Sequence, residues 1–591
     1  MAGRRLMTGN EAVALAAFHA GARFASAYPG TPSTEILENF SRYEGVYAEW
    51  APNEKVSLEA AIGACLGGVR SLAAMKHVGL NVAADPWFTA PYIGVSRGLV
   101  VVSADDPEMH SSQNEQDNRY YAKAAKVPML EPADSQEAYD LTRVAFEMSE
   151  RFDTPVLMRM TTRVCHSRSI VEPGEPETVA AIPYEKDSTK RVMIPGHARM
   201  RHPVMVRRLD ELERFSEEFG WQRVEDGRDG AGVVTSGVAY QYVKEAFGDV
   251  GILKLAMTNP LPSRLITDFC SRYEDIYVVE ELEPFLQEAV AALGFKPKGK
   301  ESVPRVGELN VDNVRAAFPE LSEVEPPEVR RVEGLPARPP ILCAGCPHRG
   351  IMYTLARLKA IIAGDIGCYT LSVLPPLSAH DCQVCMGASI TMGHGLEKAL
   401  ELAQGEDGYE GPGSHRVVSV LGDSTFFHSG VTGLMEMAYN NGRYTVVILD
   451  NRTTAMTGFQ HHPGTGITLQ EDESSMVDME MLARSLGIPN VRVVDPYDLE
   501  ECRRVLTEEM NRDAPSVVIS RRECVLKVRD REPVYYQVMQ GVCNGCGLCM
   551  GIACPALVKR GEEILILPDS CTGCGVCAQV CKHEAIQLVR R

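Results

Sequence analysis

The segment from residue 417 to residue 453 places the strongest constraint on the fold of this chain. It contains two continuous apolar runs rich in β-branched residues, 417–421 and 444–449, separated by an amphipathic stretch that ends at Asn440-Asn441-Gly442. Runs of this kind are typical of neighbouring parallel strands that a crossover helix joins and that are buried on both faces. The segment therefore predicts a βαβ unit within an open α/β sheet.

Each of these two predicted strands ends next to an oxygen-bearing side chain. Asp423 follows Gly422 at the end of the first strand, and Asn451 lies at the end of the second. Ligands bind outside the carboxyl ends of the strands in open α/β sheets, so we expect Asp423 and Asn451 to meet there. A carboxylate, an amide oxygen and a nearby backbone carbonyl suit Mg²⁺, which takes its other ligands from phosphates or water. The alternative is an ordinary βαβ unit with polar strand ends.

Length, charge and hydropathy exclude several function classes. The chain has 591 residues, which exceeds a single core and predicts roughly three to five domains. Its formal net charge of −19 argues against a nucleic-acid binder, since phosphate neutralisation needs a basic face. The N-terminus has no long apolar run, and no later stretch stays apolar for as long as a membrane span of about 18 residues requires. We therefore expect a cytoplasmic protein without a signal peptide or membrane span.

The alternation of helix and strand patterns divides the chain into six segments. The Gly-rich turn at Gly230-Ala-Gly232 lacks the last glycine of the dinucleotide-binding fingerprint, so no NAD site is expected. The predicted segments are a doubly wound α/β domain at 1–165, a connector at 166–228, a smaller α/β domain at 229–318, a Pro-rich linker at 319–340, a second doubly wound α/β domain at 341–530 and a Cys-rich domain at 535–591.

The Cys-rich domain holds eight of the 18 cysteines. They follow the pattern Cys-x2-Cys-x2-Cys-x4-Cys-Pro and then Cys-x2-Cys-x2-Cys-x3-Cys. In a reducing compartment such spacing indicates metal rather than disulfides, and it is the pattern of two-cluster bacterial ferredoxins, in which the distant fourth cysteine binds the other cluster. One [4Fe-4S] cluster is predicted on Cys543, Cys546, Cys549 and Cys581, and the other on Cys571, Cys574, Cys577 and Cys554.

Two features of the cysteine pattern depart from the usual one. Four residues separate Cys549 from Cys554, and Lys582 follows Cys581 where proline is usual. Neither change removes a ligand. Structural zinc is the alternative, and it explains paired Cys-x2-Cys motifs but not a third cysteine at the same interval.

The chain resembles the 2-oxoacid:ferredoxin oxidoreductases over almost its whole length. Gly422-Asp423-Ser424 followed by Asn451 is similar to the diphosphate motif of thiamine diphosphate enzymes, although Ser424 stands where most have glycine. The other segments that carry the resemblance are Tyr28-Pro-Gly-Thr31-Pro-Ser-Thr-Glu35, Met75-Lys-His77-Val-Gly-Leu-Asn81, His110-Ser-Ser-Gln-Asn-Glu-Gln-Asp117, Cys343-Ala-Gly-Cys346-Pro-His-Arg349, Gly422-Asp-Ser-Thr-Phe-Phe-His428 and Met456-Thr-Gly-Phe-Gln460.

The resemblance implies a fold, an activity and partners. It implies that both doubly wound domains bind thiamine diphosphate and that the chain oxidatively decarboxylates a 2-oxo acid, reducing ferredoxin and transferring the acyl group to coenzyme A. The domain order is similar to that of the large subunit in the branch acting on aromatic 2-oxo acids such as indole-3-pyruvate, which implies a smaller beta subunit and an α2β2 assembly. Two alternatives remain: an enzyme for pyruvate or another 2-oxo acid, and a non-enzymatic iron–sulfur electron-transfer subunit.

The resemblance also implies roles for individual residues. Asp423, Asn451 and the carbonyl of Thr453 would bind Mg²⁺ beside Gly422 and Ser424. Glu59 would activate the aminopyrimidine ring, although a solvated helix glutamate is the alternative, and Thr31 would hydrogen-bond the substrate carboxylate. Other residues for which the resemblance leaves two interpretations are His77, His110 and His428, as proton carriers or structural histidines, and Cys343, Cys346, Cys368 and Cys524, as ligands of a third [4Fe-4S] cluster or as reduced thiols.

Overall fold

The computed structural model describes residues 3–227, 230–322, 324, 334–336, 339–404, 410–530 and 533–590. The chain forms two compact units, Met1–Val332 and Glu333–Arg591. Much of the Pro-rich linker predicted at 319–340 lies outside the described residues.

The first unit contains a seven-stranded sheet that confirms the expected α/β fold. Across this sheet the strands run parallel except at one edge, where Met257–Asn259 pairs antiparallel with Met129–Leu130. The strands in spatial order are Met257–Asn259, Met129–Leu130, Val156–Thr161, Leu99–Asp105, Ser71–Lys76, Phe24–Ala27 and Tyr47–Trp50. The helices between them are Gly9–His19, Thr34–Phe40, Glu54–Leu66, His77–Val82, Ala84–Ile93, Arg119–Ala125, Ser135–Phe152 and Thr162–His166.

The same unit contains a smaller four-stranded sheet. Its strands in spatial order are Asp275–Val279, Ala231–Ser236, Gly251–Leu255 and Arg223–Glu225, and the last is antiparallel to its neighbour. Its helices are Ala239–Ala246, Ser263–Cys270, Phe285–Ala292 and Val311–Ala317. A buried guanidinium joins the two sheets, because Arg119 pairs with Asp117 of the first domain and with Glu280 at 2.6 Å.

The region 166–228, predicted to be a connector or excursion without periodicity, contains regular secondary structure. It contains the strands Arg168–Val171 and Arg223–Glu225 and the helices Ser188–Arg191 and Pro195–Glu217. The longest helix has Pro203 in its interior, and its buried residues are Met205, Arg208, Leu212 and Ser216. Because two of these four buried residues are arginine and serine, the hydropathy pattern of the sequence does not show the helical period. Arg208 is inward because its Nη1 donates to the carbonyl of Pro91 at 2.8 Å.

The second unit contains a five-stranded parallel sheet. The strands in spatial order are Ile361–Ala363, Val417–Gly422, Thr445–Asp450, Ser516–Arg521 and Asn490–Val494. The longer helices are His348–Arg357, Ala388–Gln404, Val431–Tyr439, Met479–Ser485 and Leu499–Met510. The βαβ unit predicted from residues 417–453 is therefore present, since Val417–Gly422 and Thr445–Asp450 are adjacent and parallel.

The Cys-rich domain has two antiparallel strand pairs. Val534–Val538 pairs with Ile586–Arg590, and Leu557–Arg560 pairs with Glu563–Ile566. Its small core combines aliphatic side chains with cysteines, which pack around Ile564 and Ile586. Within the part of the chain that the structure describes, none of the helices is both long enough and apolar enough to cross a bilayer.

Candidate active site

The carboxyl ends of two adjacent strands of the second unit bring Asp423 and Asn451 to one place. Asp423 is 2% exposed and Asn451 is 6% exposed. The Asp423 carboxylate accepts hydrogen bonds from the backbone N–H groups of Ser424 and Arg452, both at 2.8 Å. The second of these bonds fixes the loop that follows Asn451 against the acidic side chain, as expected for the edge of an open sheet.

The side chain of Asn451 has a defined orientation. Its Oδ1 accepts the N–H of Thr453 at 3.2 Å, and its Nδ2 lies 3.4 Å from Nε2 of His348. Burial lowers the pKa of His348 to about 4, so the ring is neutral and Nε2 can accept from the amide. The amide oxygen is thereby kept on the side of the loop 451–453.

Gly422 and Ser424 shape the backbone at the same strand end. A Cβ at Gly422 would lie 3.2 Å from the Tyr369 ring, and the N–H of Gly422 donates to the Tyr369 hydroxyl at 2.9 Å. Ser424 is buried, and its hydroxyl accepts a hydrogen bond from Thr454 at 3.0 Å. The serine that departs from the usual glycine is therefore part of the contact between the two strand ends.

The donor groups at this edge fit Mg²⁺. A buried carboxylate, an amide oxygen and the backbone of Thr453 are hard oxygen donors, which Mg²⁺ prefers. Nε2 of His462 lies 3.2 Å from Oδ2 of Asp423 and has no hydrogen bond of good geometry among the described residues. Sequence reasoning missed His462, because nothing in the spacing of the loop indicates that it folds back onto Asp423.

In the first unit, two glutamates of one helix lie in different environments. Glu59 is 46% exposed and its carboxylate pairs with Lys55 one turn earlier. Glu54, the first residue of the helix, is 4% exposed, and a Cβ at Gly79 would lie 2.7 Å from its Oε1. The helix begins at Glu54 because the Asn53 side chain accepts the N–H of Val56 at 3.0 Å.

The environment of Glu59 is that of the solvated alternative, and the buried acid of this helix is Glu54. Sequence reasoning chose Glu59 from its small-residue neighbours and missed Glu54. The asparagine cap at Asn53 marks the start of the helix, but it does not reveal that the first residue turns inward.

Thr31 lies in the loop that follows the strand Phe24–Ala27 and is half-buried. Its neighbour Gly30 packs on Lys76, the last residue of the adjacent strand, because a Cβ at Gly30 would lie 3.3 Å from Cγ and Cδ of Lys76. The loop that carries Thr31 and the end of the strand that carries Lys76 therefore adjoin.

The three histidines have protein partners of different kinds. Nε2 of buried His77 lies 3.0 Å from Oδ1 of Asn114, and Nδ1 of His428 lies 2.7 Å from the Ser429 hydroxyl. His110 is exposed, and its Nε2 lies 3.5 Å from Glu308. The proton-carrying role of the three histidines stays a prediction.

The cysteines of the C-terminal domain form two sets in the crossed arrangement. One pocket is lined by Cys543, Cys546, Cys549 and Cys581. In the other set, burial raises the pKa of Cys577, and so do the nearby thiols of Cys574, Cys554 and Cys571. The fourth cysteine of each run thus lies with the triplet of the other run.

The spacing of these sulfurs fits a cluster better than a single zinc ion. A tetrahedral zinc with bonds of about 2.3 Å holds its sulfurs about 3.8 Å apart. Over the described ranges, the one group of three potential ligand atoms mutually within 4.8 Å is Glu108, His110 and Glu308, which contains no cysteine. Among the described residues, therefore, no three cysteine sulfurs lie within 4.8 Å of one another.

Cys343, Cys346, Cys368 and Cys524 form a third set in the second unit. Burial raises the pKa of Cys346 to about 12, and neighbouring Cys368 and Cys343 contribute. Burial also raises the pKa of Cys368 to about 11, with contributions from Cys524 and Cys343. The N–H of Cys524 donates to the carbonyl of Asn451 at 3.0 Å. The third set thus adjoins the loop that would hold Mg²⁺.

The third set also adjoins the Cys-rich domain. A Cβ at Gly345 would lie 2.0 Å from Oγ1 of Thr572, which stands between two cysteines of the second triplet. Arg349 donates from Nη1 to the carbonyl of Ile552 at 2.9 Å and from Nη2 to that of Cys343 at 3.0 Å. This arginine, whose bridging contacts were not foreseen, ties the two regions together.

Family models match three parts of the chain. "Pyruvate flavodoxin/ferredoxin oxidoreductase, thiamine diP-bdg" matches residues 15–217, and "Thiamine pyrophosphate enzyme, C-terminal TPP binding domain" matches residues 365–520. "4Fe-4S binding domain" matches residues 564–587. These matches assign thiamine diphosphate and iron–sulfur chemistry to the chain.

Relatives match the chain along nearly its full length. A protein of Archaeoglobus fulgidus named "Indolepyruvate oxidoreductase subunit IorA" is 39% identical over 98% of this chain and 97% of its own. A protein of the same name from Thermococcus kodakarensis is 40% identical over 99% and 97%. The solved structure of a 2-oxoglutarate:ferredoxin oxidoreductase from Magnetococcus marinus aligns with a TM-score of 0.45 and 18% identity, covering 53% of this chain and 65% of that chain.

Proposed function

Because the chain belongs to the family of indolepyruvate oxidoreductase IorA subunits, we propose that its substrate is an aromatic 2-oxo acid, with indole-3-pyruvate preferred. The chain is a catalytic subunit of a 2-oxoacid:ferredoxin oxidoreductase. The reaction proposed for it is indole-3-pyruvate plus coenzyme A plus two oxidised ferredoxins to indole-3-acetyl-coenzyme A, CO₂, two reduced ferredoxins and one proton. A smaller beta subunit completes the enzyme as an α2β2 assembly. We place it in the cytoplasm, where reducing conditions keep thiols available for clusters.

One observation carries the oxidative part of this proposal. The hydrogen bond from Cys524 to the carbonyl of Asn451 ties a four-thiol set to the loop that faces Asp423. Thiamine diphosphate supplies the nucleophilic carbon that attacks the 2-oxo group and promotes loss of CO₂, while iron–sulfur clusters accept electrons singly. In this arrangement the proposed Mg²⁺ ligands and the four-thiol set belong to one compact unit.

The proposed roles of the strand-end residues follow from their contacts. Asp423, the amide oxygen of Asn451 and the carbonyl of Thr453 hold Mg²⁺ and, through it, the diphosphate. Nε2 of His462 lies 3.2 Å from Oδ2 of Asp423 and so borders the proposed Mg²⁺ site. Gly422 and Ser424 bring the backbone at the strand end close to its neighbours. Gly422 packs on the Tyr369 ring, and the Ser424 hydroxyl accepts a hydrogen bond from Thr454.

We assign the glutamate that bonds the pyrimidine ring to Glu54 instead of Glu59. Glu54 is buried where a parallel sheet presents its carboxyl edge, and the glycine at residue 79 leaves room for its carboxylate. A carboxyl group withdrawn from water can hold a proton at the ring nitrogen without competition from solvent. Thr31 remains the proposed hydrogen-bond donor to the substrate carboxylate.

The substrate is tested by ferredoxin reduction under anaerobic conditions. The chain and its beta subunit are assayed with coenzyme A, ferredoxin and either indole-3-pyruvate or pyruvate, and the expected result is a higher kcat/KM for indole-3-pyruvate. An equal or higher value for pyruvate favours an enzyme for that acid. No reduction with any 2-oxo acid, despite full cluster content, favours an electron-transfer subunit.

The third cluster predicts a specific iron content. Three [4Fe-4S] clusters give about 12 iron atoms per chain and two give about eight. Replacing Cys368 by Ser is expected to lower the content from about 12 to about eight, because the two C-terminal sets keep all their ligands. The measurement is iron and acid-labile sulfide per chain after anaerobic reconstitution.

Cys502→Ser is the matched control for that measurement. Cys502 is buried in the same domain and its Sγ donates to the carbonyl of Asp495 at 3.3 Å, so it is a structural thiol outside the three sets. This variant is expected to keep the iron content of the unmodified chain. About eight iron atoms in the unmodified chain would mean that the third set is four reduced thiols.

A further inference from the structure

Lys76 is a half-buried cation at the carboxyl edge of the first sheet. Its Nζ donates to the carbonyl of Ser111 at 2.7 Å. Across the ranges that the structure describes, Lys76 forms no ion pair with a carboxylate. An ammonium group has three donors, so the site has capacity to bind an anion.

The carboxylates nearest to Lys76 in its electrostatic environment are already engaged. Asp106 accepts from the N–H of Ser111 at 2.8 Å, from Ser112 Oγ at 2.7 Å and from Thr162 Oγ1 at 2.6 Å. Glu54 is buried against the backbone at residue 79. Burial lowers the pKa of Lys76 to about 8, and the charges of Asp106 and Glu54 oppose that shift.

The stem of Lys76 lies against the loop of Thr31. A Cβ at Gly30 would approach Cγ and Cδ of Lys76 to 3.3 Å, so the lysine and the residue after Gly30 belong to one wall. The strands that carry them, Phe24–Ala27 and Ser71–Lys76, are adjacent and parallel. An anion bound at this edge is therefore within the region that parallel sheets use for ligands.

We propose that Lys76 binds the carboxylate of the 2-oxo acid together with Thr31. This inference rests on the proposed function, which supplies a substrate with one carboxylate beside its reactive carbon. The diphosphate is the other anion of the reaction, and the residues proposed to hold it through Mg²⁺ are Asp423, Asn451 and Thr453. Because the carboxylate leaves as CO₂, Lys76 contributes to binding of the acid more than to later steps.

The test uses the complete enzyme with its beta subunit and the variants Lys76→Met and Lys76→Arg. Lys76→Met is expected to raise KM for indole-3-pyruvate by about 10- to 100-fold, the range for losing a hydrogen bond to a charged group, with a smaller change in kcat. Lys76→Arg restores much of the loss because it keeps the charge. Lys55→Met, which removes an exposed lysine of the same unit, leaves both constants unchanged.

A binding arm separates the carboxylate from the indole ring. Indole-3-lactate keeps the carboxylate and indole-3-ethanol lacks it, and both are used as competitive inhibitors. Lys76→Met is expected to weaken inhibition by indole-3-lactate and to leave inhibition by indole-3-ethanol unchanged. Equal weakening of both, or no change in either, overturns the proposal, and weakened retention of thiamine diphosphate assigns Lys76 to that cofactor instead.

The pH dependence supplies an independent signature. The ionisable groups around Lys76 are Asp106, Glu54 and its neighbour His77. Since Lys76 must be protonated to bind an anion, kcat/KM is expected to fall above pH about 8, and Lys76→Arg should remove that fall. An unchanged profile in Lys76→Arg contradicts the proposal. Failure of the unmodified enzyme with every 2-oxo acid rejects the proposed function itself.

Discussion

Replacing Glu54 by Gln is expected to lower 2-oxo-acid-dependent ferredoxin reduction by about 10²- to 10⁴-fold, the usual contribution of a positioned acid or base. An amide has nearly the same shape as the carboxylate but cannot exchange a proton with the pyrimidine ring. Glu54 is 4% exposed, so no water replaces the lost group. The measurement is the steady-state rate, with visible cluster absorbance recorded to show that the iron–sulfur domain is intact.

Glu59→Gln is the matched comparison for this variant. Glu59 is on the same helix, 46% exposed and paired with Lys55, and exposed pairs of this kind contribute about 0–1 kcal/mol. Its rate is therefore expected to stay within about twofold of the unmodified enzyme. A severe loss in Glu59→Gln with normal turnover in Glu54→Gln would reverse the assignment.

Replacing Asp423 by Asn is expected to weaken retention of thiamine diphosphate with Mg²⁺ by about 100-fold or more, since even changes to groups that only hydrogen-bond a metal ligand cost about 10- to 100-fold. The substitution removes the only carboxylate among the proposed Mg²⁺ ligands. It also weakens the bond from Arg452 N–H that fixes the loop 451–453. The measurement is cofactor content after gel filtration in Mg²⁺ buffer.

Glu436→Gln is the control for Asp423→Asn, because it makes the same chemical change at an exposed helix position of the same βαβ unit. It should retain the cofactor, and both variants should keep their iron. A chelator is expected to release thiamine diphosphate from the unmodified chain but not its clusters. Full retention by Asp423→Asn would remove this aspartate from the Mg²⁺ site.

The parts of the fold predicted from sequence are those with a strong local signal. Continuous apolar runs predicted the parallel strands around Asp423 and Asn451, because buried strands need apolar side chains on both faces. The helix Pro195–Glu217 was missed because its inward face includes Arg208, which binds a backbone carbonyl in place of apolar neighbours. Hydrophobic periodicity in a sequence indicates buried apolar side chains, but it does not indicate a buried guanidinium.

The residues of the candidate site likewise divide into those that a local sequence signal predicted and those that it did not. The cysteine spacing predicted the crossed sets, because that pattern fixes which thiols meet. The choice between Glu54 and Glu59 depends on which way one turn of a helix faces, and a helix of small residues gives no amphipathic signal to decide it. His462 lies beside Asp423, and Arg349 donates to the carbonyl of Ile552. Both contacts join residues that are distant in the sequence, so only the folded chain shows them.

The state of the thiols bears on how clusters would be loaded. Burial and neighbouring sulfurs raise the pKa of Cys346 and Cys368 to about 12 and about 11. Without metal these thiols are therefore neutral at pH 7, and cluster assembly must displace their protons. Reconstitution of the third set is accordingly expected to improve as pH rises.

The most direct test of the central claim omits the external acceptor. The anaerobic complex of this chain and its beta subunit, loaded with thiamine diphosphate and Mg²⁺, is mixed with indole-3-pyruvate and coenzyme A in the absence of ferredoxin. We expect visible cluster absorbance to bleach, and Glu54→Gln to prevent the bleaching. If the clusters stay oxidised while the acid is decarboxylated, its electrons do not enter the clusters of this chain, and the account is wrong.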